Sequence, residues 1–266
     1  MSIDADFLSN ALSVAHAAAD AADVIIRARF RAQDFAVVQK ADQTPVTEAD
    51  REAEAAIKNV LRASFPEHAF YGEEEGHEGE GDYLWLIDPI DGTKAFVRGY
   101  PMFSTQIALM WRGELVLGVS AAGEYGERAW AVKGGGAFLD GRRISIAATR
   151  ELGPLAAISI GNVKTLSRGP GWNVLASLIQ RSGRIRGYGD FLHYHLLAQG
   201  SIDLVIESDL NILDVAALAV IVREAGGVFT DLAGRELTLD TGSVLAGTPA
   251  LHALALREFT DALAPT

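Results

Sequence analysis

The segment LWLIDPIDGTKAF, residues 84–96, runs as an apolar strand into two acids, Asp88 and Asp91, separated by Pro89 and Ile90. Proline has no N–H to give a sheet ladder, so the strand is expected to stop near Asp88. Carboxylates at a strand end stand where α/β proteins bind their ligands. Gly92 and Thr93 come next, and Ala95, Phe96 and Val97 predict a short helix beginning there, whose outward N–H groups would cradle a phosphate. Aspartate also favours turns and helix N-caps, so a purely structural role for Asp88 and Asp91 stays open on this segment alone.

Three further acids stand at element ends. Glu73 directly follows Gly72 at the close of AFYG, and Asp214 starts the helix ILDVAAL just after the strand SIDLVIE. Asp50 lies in the first turn of a helix, where Thr47 to Asp50 also fits a capping box.

The elements that must position these acids follow from periodicity. Leu8, Leu12, Ala15, Ala19, Ala22 and Ile26 recur at helical spacing over residues 5–30, with acids first and Arg27, Arg29 and Arg31 last, as the helix dipole prefers. A second helix is predicted from Thr47 to Ser64, burying Ala53, Ile57 and Leu61 and closed by Pro66. AFYG then leads into EEEGHEGEGD, an acidic, glycine-rich loop. From residue 83 the texture is that of strands, YLWLI, STQIALMW, ELVLGVS and RAWAV, with hairpin signals at RGE and LDGRR. Beyond about residue 152 strands alternate with helices: LAAISI, WNVLASLIQ, RIRGY, FLHYHLLAQ, SIDLVIE, ILDVAALAVIVREA and GVFTDL. That pattern predicts a layered α/β architecture. It divides the chain into an N-terminal lobe, residues 1–151, holding Asp50, Glu73, Asp88, Asp91 and the expected phosphate cradle, and a C-terminal α/β lobe, residues 152–266, contributing Asp214 and substrate contacts.

Composition narrows the function classes. The chain has 266 residues, 49% of them hydrophobic, enough to fill a sizeable core. It has no cysteine, which excludes disulfides, thiolate metal sites and a cysteine nucleophile. The opening MSIDADFLSN lacks the basic start and apolar stretch of a secretory leader, and the apolar run Val215 to Val222 is too short to cross a bilayer, so cytoplasm without a membrane partner is the expectation. A formal charge of −12 repels nucleic acid, and would repel a phosphorylated substrate too unless the site were neutralised locally.

VVQKADQTPVTEAD, FYGEE, WLIDPIDGTKAF and the late LDVAAL with EAGG resemble, in order and spacing, the motifs of the inositol monophosphatase superfamily of magnesium-dependent, lithium-sensitive phosphatases. The resemblance covers essentially the whole chain. It implies an αβαβα sandwich, commonly a homodimer, and phosphomonoesterase activity on a small phosphorylated metabolite. It assigns Glu73, Asp88, Asp91 and Asp214 as metal-ligand side chains, with the carbonyl of Ile90 as a further ligand and Asp50 near the outermost metal. Gly92 and Thr93 would face the phosphate, and Thr93 would help Glu73 position the attacking water. Five acids in one cleft cannot all stay ionised and unpaired, which fits two to three Mg2+ ions. Two such ions clamp the attacking and leaving oxygens of an in-line displacement.

The chain departs from the family in two places. Leu213 stands where Trp commonly precedes the late acid, and Thr44 where an Asp is frequent. Lys40 matches a family lysine near the weakest metal position, or is a solvated surface lysine.

On substrate, DGTK followed by AFVRGYP, with RGYGDF at 186–191, resembles the histidinol-phosphate phosphatase branch more than the inositol branch, where another residue commonly replaces Lys94. Histidinol phosphate carries an ammonium and an imidazole, so its pocket wants acids away from the metals. Asp190 and Glu207 suit that purpose; an N-cap and a surface strand end are their structural alternatives. Glu207 also matches a substrate-contacting acid of the inositol enzymes. Inositol monophosphate is therefore the alternative substrate, a 3′-phosphonucleotide stands behind it, and a noncatalytic metal- or partner-binding protein is the alternative of a different class. His193 and His195 lie two apart on a helix and point apart. KGGGAFLDG reads as a hairpin, and the acids beyond Glu73 as a mobile flap with solvated outer carboxylates.

Overall fold

The computed structural model describes residues 3–33, 37–39 and 45–263. Lys40 and Thr44 lie outside the described residues. In chain order the elements are α1 (Ala5–Ala32), β1 (Val37–Gln39), β2 (Pro45–Thr47), α2 (Glu48–Ser64), β3 (Ala69–Gly72), β4 (Gly76–Glu78), β5 (Tyr83–Asp91), α3 (Thr93–Val97), β6 (Ser104–Trp111), β7 (Glu114–Ala122), β8 (Glu127–Val132), β9 (Gly136–Leu139) and β10 (Arg142–Ile144). They continue with β11 (Ala157–Ile160), α4 (Gly171–Arg181), β12 (Arg184–Arg186), α5 (Asp190–Ala198), β13 (Leu204–Ser208), α6 (Ile212–Glu224), β14 (Val228–Thr230), β15 (Ser243–Gly247) and α7 (Pro249–Leu263).

Period-2 burial turns these strands into layers. In β5, Trp85 and Ile87 join one apolar cluster with the helices α1 and α2, while Leu86 points the other way into a cluster with α5 and α6. In β13, Val205 faces that same central cluster, whereas Leu204 and Ile206 face a third, shared with α4 and α7. A strand whose both faces are covered reads as a continuous apolar run, and both strands do. The result is an αβαβα sandwich: α1 and α2, an eight-stranded sheet ordered β10-β9-β8-β7-β6-β5-β3-β4, then α5 and α6, a five-stranded sheet ordered β12-β11-β13-β15-β14, then α4 and α7. Small residues Ala11, Ala15, Ala18, Ala19 and Ala22 let α1 lie close on its neighbours. The hairpins fall at Arg112-Gly113 and Asp140-Gly141, both pairs with positive φ, as two-residue turns matched to sheet twist require.

The large sheet comes from residues 69–144 and the small one from residues 157–247, yet α6 packs on β5, β6, β7, β8 and β9 as well as β14. One apolar cluster therefore joins the two sheets. Among the described residues no helix is long and apolar enough to cross a membrane.

Three expectations are corrected. The strand does not stop near Asp88: β5 continues to Asp91, with Asp88 opposite Gln106 and Asp91 opposite Ser104, so one residue too many lies between them. Pro89 sits in this bulge, where no ladder N–H is asked of it, and its carbonyl accepts from Thr105 Oγ1 at 2.9 Å. The short helix starts at Thr93, before Ala95, because Gly92 adopts φ 93° and turns the chain early. The acidic loop is partly regular, since β4 pairs with β3. Its outer acids are held, not merely solvated: Glu75 and Glu78 lie 2.9 and 2.7 Å from Lys58 Nζ. The strand β15 and helix α7 were not anticipated.

Candidate active site

The β5 bulge turns two acids three positions apart toward one place. Asp88 Oδ1 accepts the Ile90 N–H at 3.0 Å, which closes the local turn, and Asp91 accepts from Ser104 Oγ and Gln106 Nε2 at 3.4 Å. Asp214 arrives from the other half of the chain. Asn211 caps α6 by accepting the Leu213 N–H at 2.7 Å, and Asp214 completes a capping box by accepting the Asn211 amide N–H at 2.8 Å. Structural and chemical roles thus coexist in one side chain. Carboxylate oxygens of Asp88, Asp91 and Asp214 all lie within 4.8 Å of one another.

These three acids line a cavity of about 560 Å3 together with Glu73, Ile90, Gly92, Thr93, Asp190 and Glu207. Of the expected site residues only Asp50 is outside its wall, and it touches Thr93 from behind at 3.4 Å. Asp50 is buried and is the N3 member of the α2 capping box, accepting both the N–H and the hydroxyl of Thr47 at 2.7 and 2.6 Å. Thr93 Oγ1 also lies 3.0 Å from the Ile90 carbonyl.

The electrostatics describe a site in want of cations. Burial, then the charges of Glu73, Asp91 and Asp214, pushes Asp88 well above the ordinary carboxylate range. Burial, then Asp190, Asp214 and Glu207, does the same to Asp91. Asp214 is pushed up to about 7, chiefly by burial, with Glu73 and Glu207 adding to it against the opposing Asn211 N–H. Buried like charges either take up protons or share a multivalent cation. An all-oxygen donor set of carboxylates and one carbonyl fits a hard divalent ion such as Mg2+.

Asp190 begins α5 with φ 46°, in the left-handed region that aspartate tolerates better than most residues. It is not the N-cap; Gly189 holds that position. Burial and the charge of Glu207 push Asp190 up to about 6, moderated by His193 and Lys94. Glu207 is not a surface strand end. It is buried, receives the Tyr194 hydroxyl at 2.9 Å and the Asn162 N–H at 3.1 Å, and faces His193 Nε2 at 3.2 Å. Burial alone would raise its pKa, but these partners outweigh that and lower it. His195 turns elsewhere, toward Ser120 Oγ at 2.9 Å and Glu127 at 3.1 Å. Leu213 packs in the central apolar cluster.

Sequence reasoning missed Arg98, Tyr100, Asn162 and Tyr194 in the wall. Asn162 had a usable signal, because it lies just past the C-terminal end of the parallel strand β11. Tyr194 had none beyond standing between two histidines.

Comparison with known proteins shows the family. The model of the inositol monophosphatase family matches residues 8–264. A histidinol-phosphatase of Streptomyces coelicolor is 42% identical over 86% of this chain and 89% of its own length. A histidinol-phosphatase of Mycobacterium tuberculosis is 40% identical over 84% and 88%. The crystal structure of the extragenic suppressor protein suhB from Bartonella henselae superposes with a TM-score of 0.84 at 31% identity, over 93% of this chain and 97% of that one. Its motifs, its layered sandwich and these relatives together place the chain: it belongs to the inositol monophosphatase family.

Proposed function

We propose that this phosphatase hydrolyses the phosphate ester of L-histidinol, with two to three Mg2+ ions held by Glu73, Asp88, Asp91 and Asp214 and the Ile90 carbonyl. The observation that carries the metal assignment is the meeting of three carboxylates, two buried and one half-buried, from two halves of the chain within 4.8 Å. When bound, the ions supply charge neutralisation at the phosphoryl group and acidify water.

The chain's own groups do the rest. The Thr93 hydroxyl has its proton directed to the Ile90 carbonyl or to Asp50, so it presents lone pairs to the cavity and accepts a hydrogen bond from the attacking water. Glu73 takes that water's proton. The water oxygen bonds to phosphorus as the ester P–O bond breaks, and the proton ends on the departing alcohol. Gly92 and Thr93 line the phosphate end.

Substrate choice rests on Asp190. A half-buried carboxyl pushed up to about 6 by desolvation and then by the charge of Glu207 is relieved by a cation placed beside it, and histidinol supplies one where inositol supplies only hydroxyls. The high identity to two enzymes named histidinol-phosphatase points the same way. Initial rates on histidinol phosphate, inositol 1-phosphate, fructose bisphosphate and phosphoadenosine phosphate test the assignment. The highest kcat/KM is expected for histidinol phosphate; a preference for inositol phosphate would replace it with the inositol reading.

A further inference from the structure

The helix α2 carries a stripe of buried polar residues at i, i+4 and i+8: Asp50, Glu54 and Lys58. Asp50 touches Thr93, as described. Glu54 has 0% exposure, and both its oxygens are engaged by the backbone that follows Glu73. Oε2 accepts the Glu74 N–H at 2.8 Å and Oε1 the Glu75 N–H at 3.1 Å. On the other side of Glu73, a Cβ on Gly72 would overlap the same carboxylate, so position 72 must be glycine for the contact to exist. Lys58 Nζ completes the arrangement. It lies 2.9 Å from Glu54 Oε1, 2.9 Å from Glu75 Oε2 and 2.7 Å from Glu78 Oε1, and Arg62 Nη2 reaches Glu78 at 2.8 Å.

A buried ion pair is seldom kept for stability, because desolvating two charges costs as much as their attraction returns. In some proteins such a pair serves instead to fix a geometry. Here the geometry fixed is the turn between β3 and β4, whose first residue past β3 is Glu73, and Glu73 N–H is itself pinned to the Ile87 carbonyl of β5 at 3.1 Å.

We propose that Glu54, held by Lys58, is a positioning residue that clamps the backbone on both sides of Glu73 and so sets the direction of its carboxylate toward the cavity. The stripe on α2 then orients both partners of the water, Thr93 through Asp50 and Glu73 through Glu54. The proposal rests on Glu73 belonging to the metal- and water-handling group.

The test compares three proteins with the wild type: Glu54→Gln, the double variant Glu54→Leu with Lys58→Met, and Glu73→Gln as reference. Glu54→Gln keeps shape but turns an NH2 toward backbone N–H donors. The double variant removes the buried pair together, which keeps the core neutral and the protein folded should the single change unfold it. Each is measured for melting temperature, for Mn2+ affinity of the metal-free protein by the resonance signal of free Mn2+, and for kcat and KM on an aryl phosphate with Mg2+. For both Glu54 variants, Mn2+ binding weakened about ten- to hundred-fold and kcat lowered with KM nearly unchanged is expected, the scale seen when groups supporting a metal ligand are removed. A lowered melting temperature with wild-type Mn2+ affinity and kcat overturns the clamp. A Glu73→Gln protein that binds Mn2+ and turns over like the wild type removes Glu73 from the site and the clamp's purpose with it, and that failure is read from the reference variant alone.

Discussion

The Thr93 hydroxyl stands 3.4 Å from the Asp50 carboxylate, joining the first residue of α3 to the first turn of α2. The Ile90 carbonyl offers a second acceptor at 3.0 Å, so the hydroxyl proton has two protein acceptors and the oxygen keeps lone pairs for the water. Thr93→Ala should therefore lower kcat roughly 10²-fold, with KM for the phosphate ester changing little, while Thr93→Ser should retain most activity. Steady-state kinetics on an aryl phosphate decide it; an alanine variant with wild-type kcat would remove Thr93 from the water's environment.

Much of this arrangement was legible in the sequence, and the misses have physical causes. Asp88 and Asp91 were visible because Pro89 punctuates an apolar run, but a proline at a bulge and a proline at a strand end look the same until the partner strand is known. The alanine stripe of α1 and the layered alternation after residue 152 were plain from periodicity. Glu54 and Lys58 were not, since charged residues four apart on a helix normally mark a solvated face, and their partners Glu75 and Glu78 lie about twenty residues on. The helix α7 was readable in principle from Pro249 and the spacing of Leu251, Ala255 and Phe259. The metal roles of the acids came from family resemblance, because one sequence carries no distances.

Asp190 and Glu207, both in the cavity wall, should behave differently. Asp190→Asn is expected to raise KM for histidinol phosphate about ten-fold, the worth of one charge-assisted hydrogen bond, and to leave an aryl phosphate with no cationic group unaffected. Glu207→Gln should instead lower stability by about 1–3 kcal/mol, because it disturbs a buried acceptor for Tyr194 and Asn162. Paired KM values and denaturant titrations separate the two; equal KM effects on both esters for Asp190→Asn would contradict its role in recognition.

Removing a buried carboxylate should have opposite effects with and without metal. In chelator at about pH 8, well above the ordinary carboxylate range, Asp91→Asn removes the cost of burying a carboxylate and its repulsion from Asp190, Asp214 and Glu207, and should raise the melting temperature. With saturating Mg2+ the order should reverse, since the wild type gains more from the ion. A variant less stable than the wild type in both conditions would argue against a cation site built on Asp91.

Acid stability should reflect histidines kept neutral by burial. His68 Nδ1 accepts the Trp85 Nε1–H at 3.0 Å, and burial lowers its pKa; burial also lowers that of His252, 2.8 Å from Thr230 Oγ1. The unfolded chain takes up a proton near the ordinary value of about 6.5, where the folded protein resists it. More protons are then bound unfolded than folded, so stability rises with pH and falls as pH drops below about 6.5. His68→Asn, which keeps an acceptor for Trp85, should flatten that fall. Denaturant melts between about pH 7.5 and pH 5.5 measure it, and an unchanged slope in the variant would exclude His68 as a source.

The most direct measurement is phosphate release from L-histidinol phosphate as Mg2+ is titrated into the chelator-stripped protein, run beside Asp88→Asn. The account predicts no turnover before Mg2+ is added, a saturable rise with it, and an Asp88→Asn protein that stays folded but near the uncatalysed rate at every Mg2+ concentration. Turnover that persists in chelator, or an Asp88→Asn variant with wild-type rates, would contradict it.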